Sequence, residues 1–399
     1  MIFVLIGILS LSAQVYSGRV VWSDEFSGRK GQAPDSSKWK YDIGGEGWGN
    51  QELEYYTNSV NNAALDGNGN LVITARRENN NNFHCWYGRC QYTSARILTL
   101  GKSSHKYGAI EARIKIPKGN GIWPAFWMLG DDLQQVGWPK CGEIDIMENI
   151  GKEPFEVHGT LHGPGYSGGD GLTSTYRLPN KKAFGDDFHV YRTDWTSNSI
   201  SFSVDGHRYV TKTPADTHGK PWVFTHNFFI IFNLAVGGGW PGPPDASTRF
   251  PQSMVIDYVR VYSLGRQGAI QGLGDQCVDV LEAGQEGETL VQISNCNGSE
   301  SQNWTLYDDD GTIRAFDKCL DVSDTGTAND TIVQISDCNG NDSQKWELTP
   351  SGDITNGNYC LEVIQTEEKV NTSRLQLWGC NGNANQKWKL MEEIVDVES

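Results

Sequence analysis

Between residue 18 and about residue 265 the chain reads as one strand after another. Ile110, Ala112, Ile114 and Ile116 alternate with Glu111, Arg113 and Lys115. Ile200, Phe202 and Val204 alternate in the same way with Ser201, Ser203 and Asp205. A period of two puts each apolar set on one face of a strand. FFIIFNLAV (228–236) and MVIDYVRVY (254–262) read as buried or half-buried strands. Turn clusters such as DGNGN and GGGWPGPPD separate the runs, and helical periodicity is almost absent. So many strands in one stretch predict an all-β sandwich of two antiparallel sheets.

From residue 266 the pattern becomes a repeat. VQISNCNGSESQNW, VQISDCNGNDSQKW and LQLWGCNGNANQKW each end in Gln-x-Trp, and Gln302, Gln344 and Gln386 are spaced 42 and 42 residues apart. Each unit opens on CVDV, CLDV or CLEV, and the two Cys of a unit lie 19, 19 and 20 residues apart. One pairing is the same in every unit: Cys277–Cys296, Cys319–Cys338 and Cys360–Cys380. Three short-stranded units predict a closed threefold barrel, with the three Trp as its core.

Charge separates the two parts. Residues 1–265 hold 25 basic and 25 acidic residues, whereas residues 266–399 hold 8 basic and 24 acidic, net −16. Nucleic acid and strongly anionic polymers need a positive field, so a neutral polymer suits this chain better as a partner. With 14 Trp and 46 Gly, the composition fits a loop-rich β protein with stacking surfaces for sugar faces.

The N-terminus reads MIFVLIGILSLSAQVYSG. Residues 2–12 have the length of a signal-peptide core, and Val15 and Ser17 suit cleavage before Gly18, although no Lys or Arg precedes the core. Past residue 17 no apolar run has the length of a membrane span. The expectation is a secreted protein with no membrane segment. Its parts are a signal segment 1–17, a sandwich 18–265, a barrel 266–391 and an acidic tail 392–399.

The repeat resembles the ricin-B-type β-trefoil lectin family. That resemblance implies a shallow sugar site in each unit, built from an acid after the first Cys, an aromatic before the second, and nearby Gln and Asn. The first unit then offers Asp279 and Gln292, with Ser294 at the aromatic position. The second offers Asp321 and Gln334, with Ser336. The third offers Gln376, Trp378, Asn385 and Gln386, with Glu362 in place of Asp. Only the third keeps the stacking platform. Sequons stand at Asn297, Asn303, Asn329, Asn341 and Asn371.

In the sandwich the chemistry lies in GEIDIMENIG. Alternation puts Glu143 and Asp145 on one face and Glu148 on the other, among apolar neighbours, where a lone carboxylate is costly. A β-bulge around Ile146-Met147 returns Glu148 to the first face. The two Glu backbones are then roughly 13 Å apart at ~3.3 Å per step. Leaning side chains close this to about 5–6 Å, near the ~5–5.5 Å of retaining glycosidases. Asp145 between them repels both ions and keeps a proton available at mild acidity.

GIWPAFWMLG just before this strand puts Trp123 and Trp127 on one face, and GGGWPG carries Trp240 on a Gly-rich loop. These segments, with GWGNQELEYYT, HGTLHGPGYSGG, FHVYRTDWT, NLAVGGGWPG and IDYVRVY, resemble glycoside hydrolase family 16, the laminarinase-like endo-β-1,3-glucanases, over about 20–263. The resemblance implies a β-jelly-roll, hydrolysis of internal bonds with retention, Glu143 as nucleophile, Glu148 as acid/base and Asp145 as the residue that tunes Glu143. It implies Asn50, Glu54, Arg96, His162 and Asn233 as cleft-lining residues. It implies no required cofactor, and a structural Ca²⁺ near Asp257 and Glu25. Cys85 and Cys90 in CWYGRC read as a pair, leaving Cys141 a buried free thiol. The expected partner is a neutral β-glucan bound by a monomer. The other readings are a mixed-linkage β-1,3-1,4-glucanase and a non-catalytic glucan-recognition protein.

Overall fold

The computed structural model describes residues 17–79, 82–179, 182–281, 289–308, 310–323, 329–364 and 373–392. The signal segment up to residue 16, the sequon at Asn371 and the acidic tail from residue 393 lie outside them. Contacts divide the chain into one unit of Val20–Tyr262 and another that joins the residues up to Arg19 with those from Ser263 on. The strand Gln252–Gln271 supplies residues to both. Among the described residues no helix is long and apolar enough to cross a membrane.

The first unit is a sandwich of two sheets. One sheet has seven antiparallel strands in the order Ser174–Arg177, Glu156–His162, Glu143–Glu148, Ile122–Gly130, Phe228–Val236, Arg96–Leu98 and Lys40–Asp42. The other is built on Gly108–Lys115, which pairs with both His189–Trp195 and the Gln252–Gln271 strand. The alternating runs fill the space between the sheets. Ile110, Ala112, Ile114, Phe202 and Val204 of one sheet share a single core with Phe126, Met128, Ile144, Phe228, Ile230, Phe232 and Leu234 of the other.

That alternation also sets what faces outward from the seven-stranded sheet. With Ile122, Phe126 and Met128 in the core, the opposite face of the same strand presents Trp123, Ala125 and Trp127. Phe228–Val236 is buried along its whole length, and its outward residues are Phe229, Ile231, Asn233 and Ala235. Phe229 and Ile231 pack into a small second cluster with Leu98, Leu129 and Cys141. Cys141 is buried and unpaired, and its burial pushes the thiol up to about 11.

The second unit repeats one hairpin three times: Gln276–Val280 with Thr289–Asn295, Lys318–Val322 with Thr331–Ser336, and Tyr359–Val363 with Leu375–Gly379. Trp304, Trp346 and Trp388 join one core with the inward Val, Ile and Leu of all three. Each indole N–H donates to a backbone carbonyl, of Val278, Leu320 and Leu361, at 2.8, 2.8 and 2.9 Å. The buried Trp therefore leaves no polar atom unmet. The unit closes as a β-trefoil. All four disulfides form: Cys85–Cys90, Cys277–Cys296, Cys319–Cys338 and Cys360–Cys380.

Candidate active site

The Glu143–Glu148 strand pairs with Ile122–Gly130 on one side and Glu156–His162 on the other. Against the first, Glu143 faces Leu129 and Asp145 faces Trp127, but Met147 faces Phe126 and Glu148 faces Ala125. Ile146 is skipped. The same slip lies between Asp145 and Glu148 on the other side. This is the bulge that the spacing calls for. Ile144, Ile146 and Met147 all enter the core, so Glu143, Asp145 and Glu148 share the outer face.

The neighbouring strands complete a cluster around these acids. Glu143, Asp145 and Glu148 stand opposite His162, Thr160 and His158. Nε2 of His162 lies 3.2 Å from Oδ2 of Asp145. The Trp123 indole donates to Glu148 at 3.0 Å, and the Trp138 indole donates to Glu143 at 2.6 Å. Asp145 is the deepest of the three, at 2% exposure.

Burial and then the charge of Asp145 push the Glu143 carboxyl up to about 8. Burial and then the charge of Glu143 push Glu148 up to about 7. Asp145 is raised well above the usual carboxylate range by burial and then by Glu148. Three like charges in one buried patch cannot all ionise, so the cluster holds protons at neutral pH.

The remaining predicted cleft residues separate into two groups. Trp127 donates to Asn233 at 2.7 Å, and Asn233 donates to the Tyr56 hydroxyl at 3.1 Å. Tyr56 in turn donates to Glu52 at 3.1 Å, and Asn50 donates to the other oxygen of Glu52 at 3.0 Å. Arg96 lies against the rings of Trp48 and Trp127, 5.0 and 4.7 Å from their centroids, and pairs with Asp42. Trp240 meets Trp123 edge-on at 5.4 Å and lies 5.1 Å from the His158 ring.

Glu54 behaves differently from the sequence expectation. It is fully buried, and its carboxylate accepts the Val236 N–H at 2.7 Å. Burial and the neighbouring Glu52 raise it well above the ordinary range. Glu54 props the Phe228–Val236 strand from a position closed to solvent. Glu52, just ahead of that strand and itself 5% exposed, is the acid hydrogen-bonded to Tyr56 and Asn50.

The trefoil carboxylates are held from within. Asp279 accepts the Gln302 amide at 3.2 Å and the Ser294 hydroxyl, and Asp321 accepts Gln344 at 2.8 Å and the Ser336 hydroxyl. The serines at the aromatic position thus fasten the acid. Glu362 accepts Gln376 at 3.0 Å and Gln386 at 2.7 Å. Gln386 is fully buried and also accepts the Asn381 N–H, so it supports Glu362 and cannot itself meet a ligand. Asn385 donates to the Val363 carbonyl at 3.3 Å. Trp378 is half-buried opposite Cys360, and Gln292 and Gln334 are half-buried opposite Asp279 and Asp321.

The two acids predicted near calcium each hold an arginine. Asp257 pairs with Arg113 at 2.7 Å, and Glu25 takes both arms of Arg260 at 2.9 and 2.8 Å. Ligand atoms of Glu143, Asp145 and His162 lie within 4.8 Å of one another, as do those of Glu153, Glu156 and His158. In the second set Glu156 is bound by Arg177, and His158 is tied to the Thr175 hydroxyl at 2.9 Å.

Comparison with known proteins adds the family. Residues 50–260 match the model of glycosyl hydrolases family 16, and residues 266–388 match the ricin-type β-trefoil lectin domain. The chain belongs to glycosyl hydrolase family 16. It is 44% identical over 254 residues to a β-glucanase of Rhodothermus marinus, covering 61% of this chain and 84% of that one. It is 37% identical over 302 residues to the clotting factor G alpha subunit of Tachypleus tridentatus, covering 72% of this chain and 42% of that one. The crystal structure of an endo-β-1,3-glucanase from Pyrococcus furiosus matches with a TM-score of 0.58 and 49% identity, covering 62% of this chain and 95% of that one.

This family 16 enzyme is therefore a glycoside hydrolase with a C-terminal lectin-type trefoil. Its sandwich carries site residues that sequence reasoning missed: Trp138, Glu52, Tyr56, Trp48 and His158. Trp138 stands five residues before Glu143 in a Pro-containing turn. A Trp so placed was the available signal. Glu52 lies in GNQELEYY, two residues from the Glu54 that was named instead.

Proposed function

We propose that the protein is a secreted endo-β-1,3-glucanase that cleaves internal bonds with retention, aided by a trefoil that holds polysaccharide. The observation that carries this reading is the slip between Asp145 and Glu148, which brings three carboxylates onto one outer face beside Trp123, Trp127 and Trp240. The name of the Pyrococcus furiosus enzyme, an endo-β-1,3-glucanase, supports the β-1,3 linkage. Four disulfides suit an oxidising exterior.

In this reading the crowded cluster rests partly protonated, and the reactive form is the fraction of molecules in which Asp145, the deepest acid, is neutral and Glu143 beside it is the anion while Glu148 keeps its proton. The Trp138 N–H favours that anion. Glu143 attacks the anomeric carbon while Glu148 gives its proton to the departing glucosyl oxygen. The glycosidic bond breaks and a glycosyl-enzyme ester forms. Glu148, now ionised, takes a proton from water, and that water frees the sugar from Glu143. Each acid returns to its starting state.

Product profiles on laminarin, lichenan, agarose and xylan test the linkage. NMR of fresh laminarin digests tests the stereochemistry. The expected result is preferred cleavage of laminarin with the β-anomer appearing first. Initial α-anomer overturns retention, and indifference to laminarin overturns the β-1,3 assignment.

A further inference from the structure

Trp86 is 51% exposed, yet it is firmly held. Its indole N–H donates to the Glu52 carbonyl at 2.7 Å and its backbone N–H to the Gly45 carbonyl at 2.9 Å. The Cys85–Cys90 disulfide closes the loop around it. Next to it, Tyr87 donates to the Leu53 carbonyl at 2.6 Å and meets the Trp86 ring edge-on at 5.4 Å. Gly47, at φ +85°, makes room for the indole, because a Cβ there would come within 2.9 Å of the ring. Phe83 stacks on Tyr55 at 4.5 Å in the same neighbourhood. A scattered exposed Trp needs no explanation, but one fixed by two hydrogen bonds and a disulfide has already lost its rotamer freedom. A rigid aromatic with an open face is suited to stacking.

The platform is continuous with the acid cluster. Trp86 and Tyr87 grip the backbone of Glu52 and Leu53. The same segment meets the Gly-rich loop: the Gly239 N–H donates to the Asn50 carbonyl at 2.8 Å, and Leu53 donates to Val236 at 2.7 Å. That loop carries Trp240, which meets Trp123, which donates to Glu148. One segment therefore separates the open face of Trp86 from the rings around the carboxylates.

We infer that Trp86 is a further sugar subsite, at which a pyranose ring of a bound glucan stacks beyond the units held at Glu143 and Glu148. This rests on the glucanase reading. The occupant is a neutral pyranose chain, because the glucanase reading puts such a chain in the adjoining cleft and its C–H faces suit an indole. Only chains long enough to span from the carboxylates to the loop gain from it.

The test compares kcat/KM on laminarin and on the shortest laminari-oligosaccharide that the full-length enzyme cleaves, for wild type, Trp86→Ala and Trp86→Phe. Trp86→Ala should lower the laminarin-to-oligosaccharide ratio about five- to tenfold, mainly through KM, as loss of one aromatic contact implies. Trp86→Phe keeps a ring without the N–H and should retain most of the ratio. An unchanged ratio in Trp86→Ala overturns the subsite. A Phe variant as impaired as the Ala variant assigns Trp86 to holding the Glu52 backbone and overturns it too. Wild-type enzyme that cleaves neither substrate overturns the glucanase reading, and the subsite with it.

Discussion

Both units of this chain bury carboxylates on β-strands, and they treat them in opposite ways. In the sandwich Glu143, Asp145 and Glu148 crowd one another, and burial plus mutual repulsion raises all three. In the trefoil Asp279, Asp321 and Glu362 stand one to a repeat, and each accepts a glutamine and a second donor. Crowding stores protons that can be delivered to a substrate. Donors from the same repeat fix each trefoil carboxylate in place as an acceptor. The first arrangement suits bond cleavage, and the second suits recognition of hydroxyl groups.

The largest break in this comparison is Glu143→Gln. It is nearly isosteric and removes the attacking oxygen anion, so turnover on laminarin should fall by about 10⁴-fold or more while the fold persists. Rates and circular dichroism on one preparation check both halves. Residual activity within tenfold of wild type would assign the attack elsewhere. Glu148→Gln should lose about 10²–10⁴-fold on laminarin, the usual contribution of a positioned acid. It should lose less on aryl glycosides whose leaving groups need no proton, and equal losses on both would remove Glu148 from the acid role.

Stability should respond to the same crowding. The Glu143 and Glu148 carboxyls are raised from the ordinary 4.5 to about 8 and about 7, so the folded state holds protons that the unfolded chain has released. Stability from the cluster is therefore lost as pH rises from about 4.5 through about 8. Glu143→Gln removes one of the repelling charges. Its Tm should match wild type near pH 4 and exceed it by about 2–4 °C near pH 8, on the order of one kcal/mol in a unit of this size. A gap that stays constant from pH 4 to pH 8 would show that repulsion is not what raises these groups.

Legibility in sequence followed how each feature is encoded. The alternating runs gave the sandwich faces directly, and the cost of a buried Glu148 required the bulge before any coordinates. The trefoil was legible because three copies repeat both spacing and Cys. Residues joined to the site through hydrogen bonds were not legible in this way. Glu52 and Glu54 look alike in GNQELEYY, and only pairing shows that Glu54 turns inward to Val236. Gln386 looks like a sugar contact until it is seen buried beneath Glu362. Trp138 reaches Glu143 from a turn, where no periodicity reports direction.

The smallest expected effect lies in the trefoil and depends on the physical state of the substrate. Its three acids are fastened by their own glutamines, and the serines of the first two repeats occupy the aromatic position. Trp378 is the remaining stacking candidate. A single shallow site on a net-acidic unit should bind neutral sugar weakly and with little dependence on salt. Tethering converts weak binding into a raised local concentration of polymer at the cleft. That matters for insoluble glucan, where access limits the rate, and little for short soluble chains, which diffuse freely. Trp378→Ala in the full chain should therefore lower release of sugar from insoluble β-1,3-glucan by about two- to fivefold, on the order of the loss of one aromatic contact. It should leave soluble laminari-oligosaccharide cleavage unchanged. Equal rates for the variant and the wild type on every insoluble glycan would give the trefoil a different ligand, and the longer carboxylate of Glu362 would be the first feature to examine.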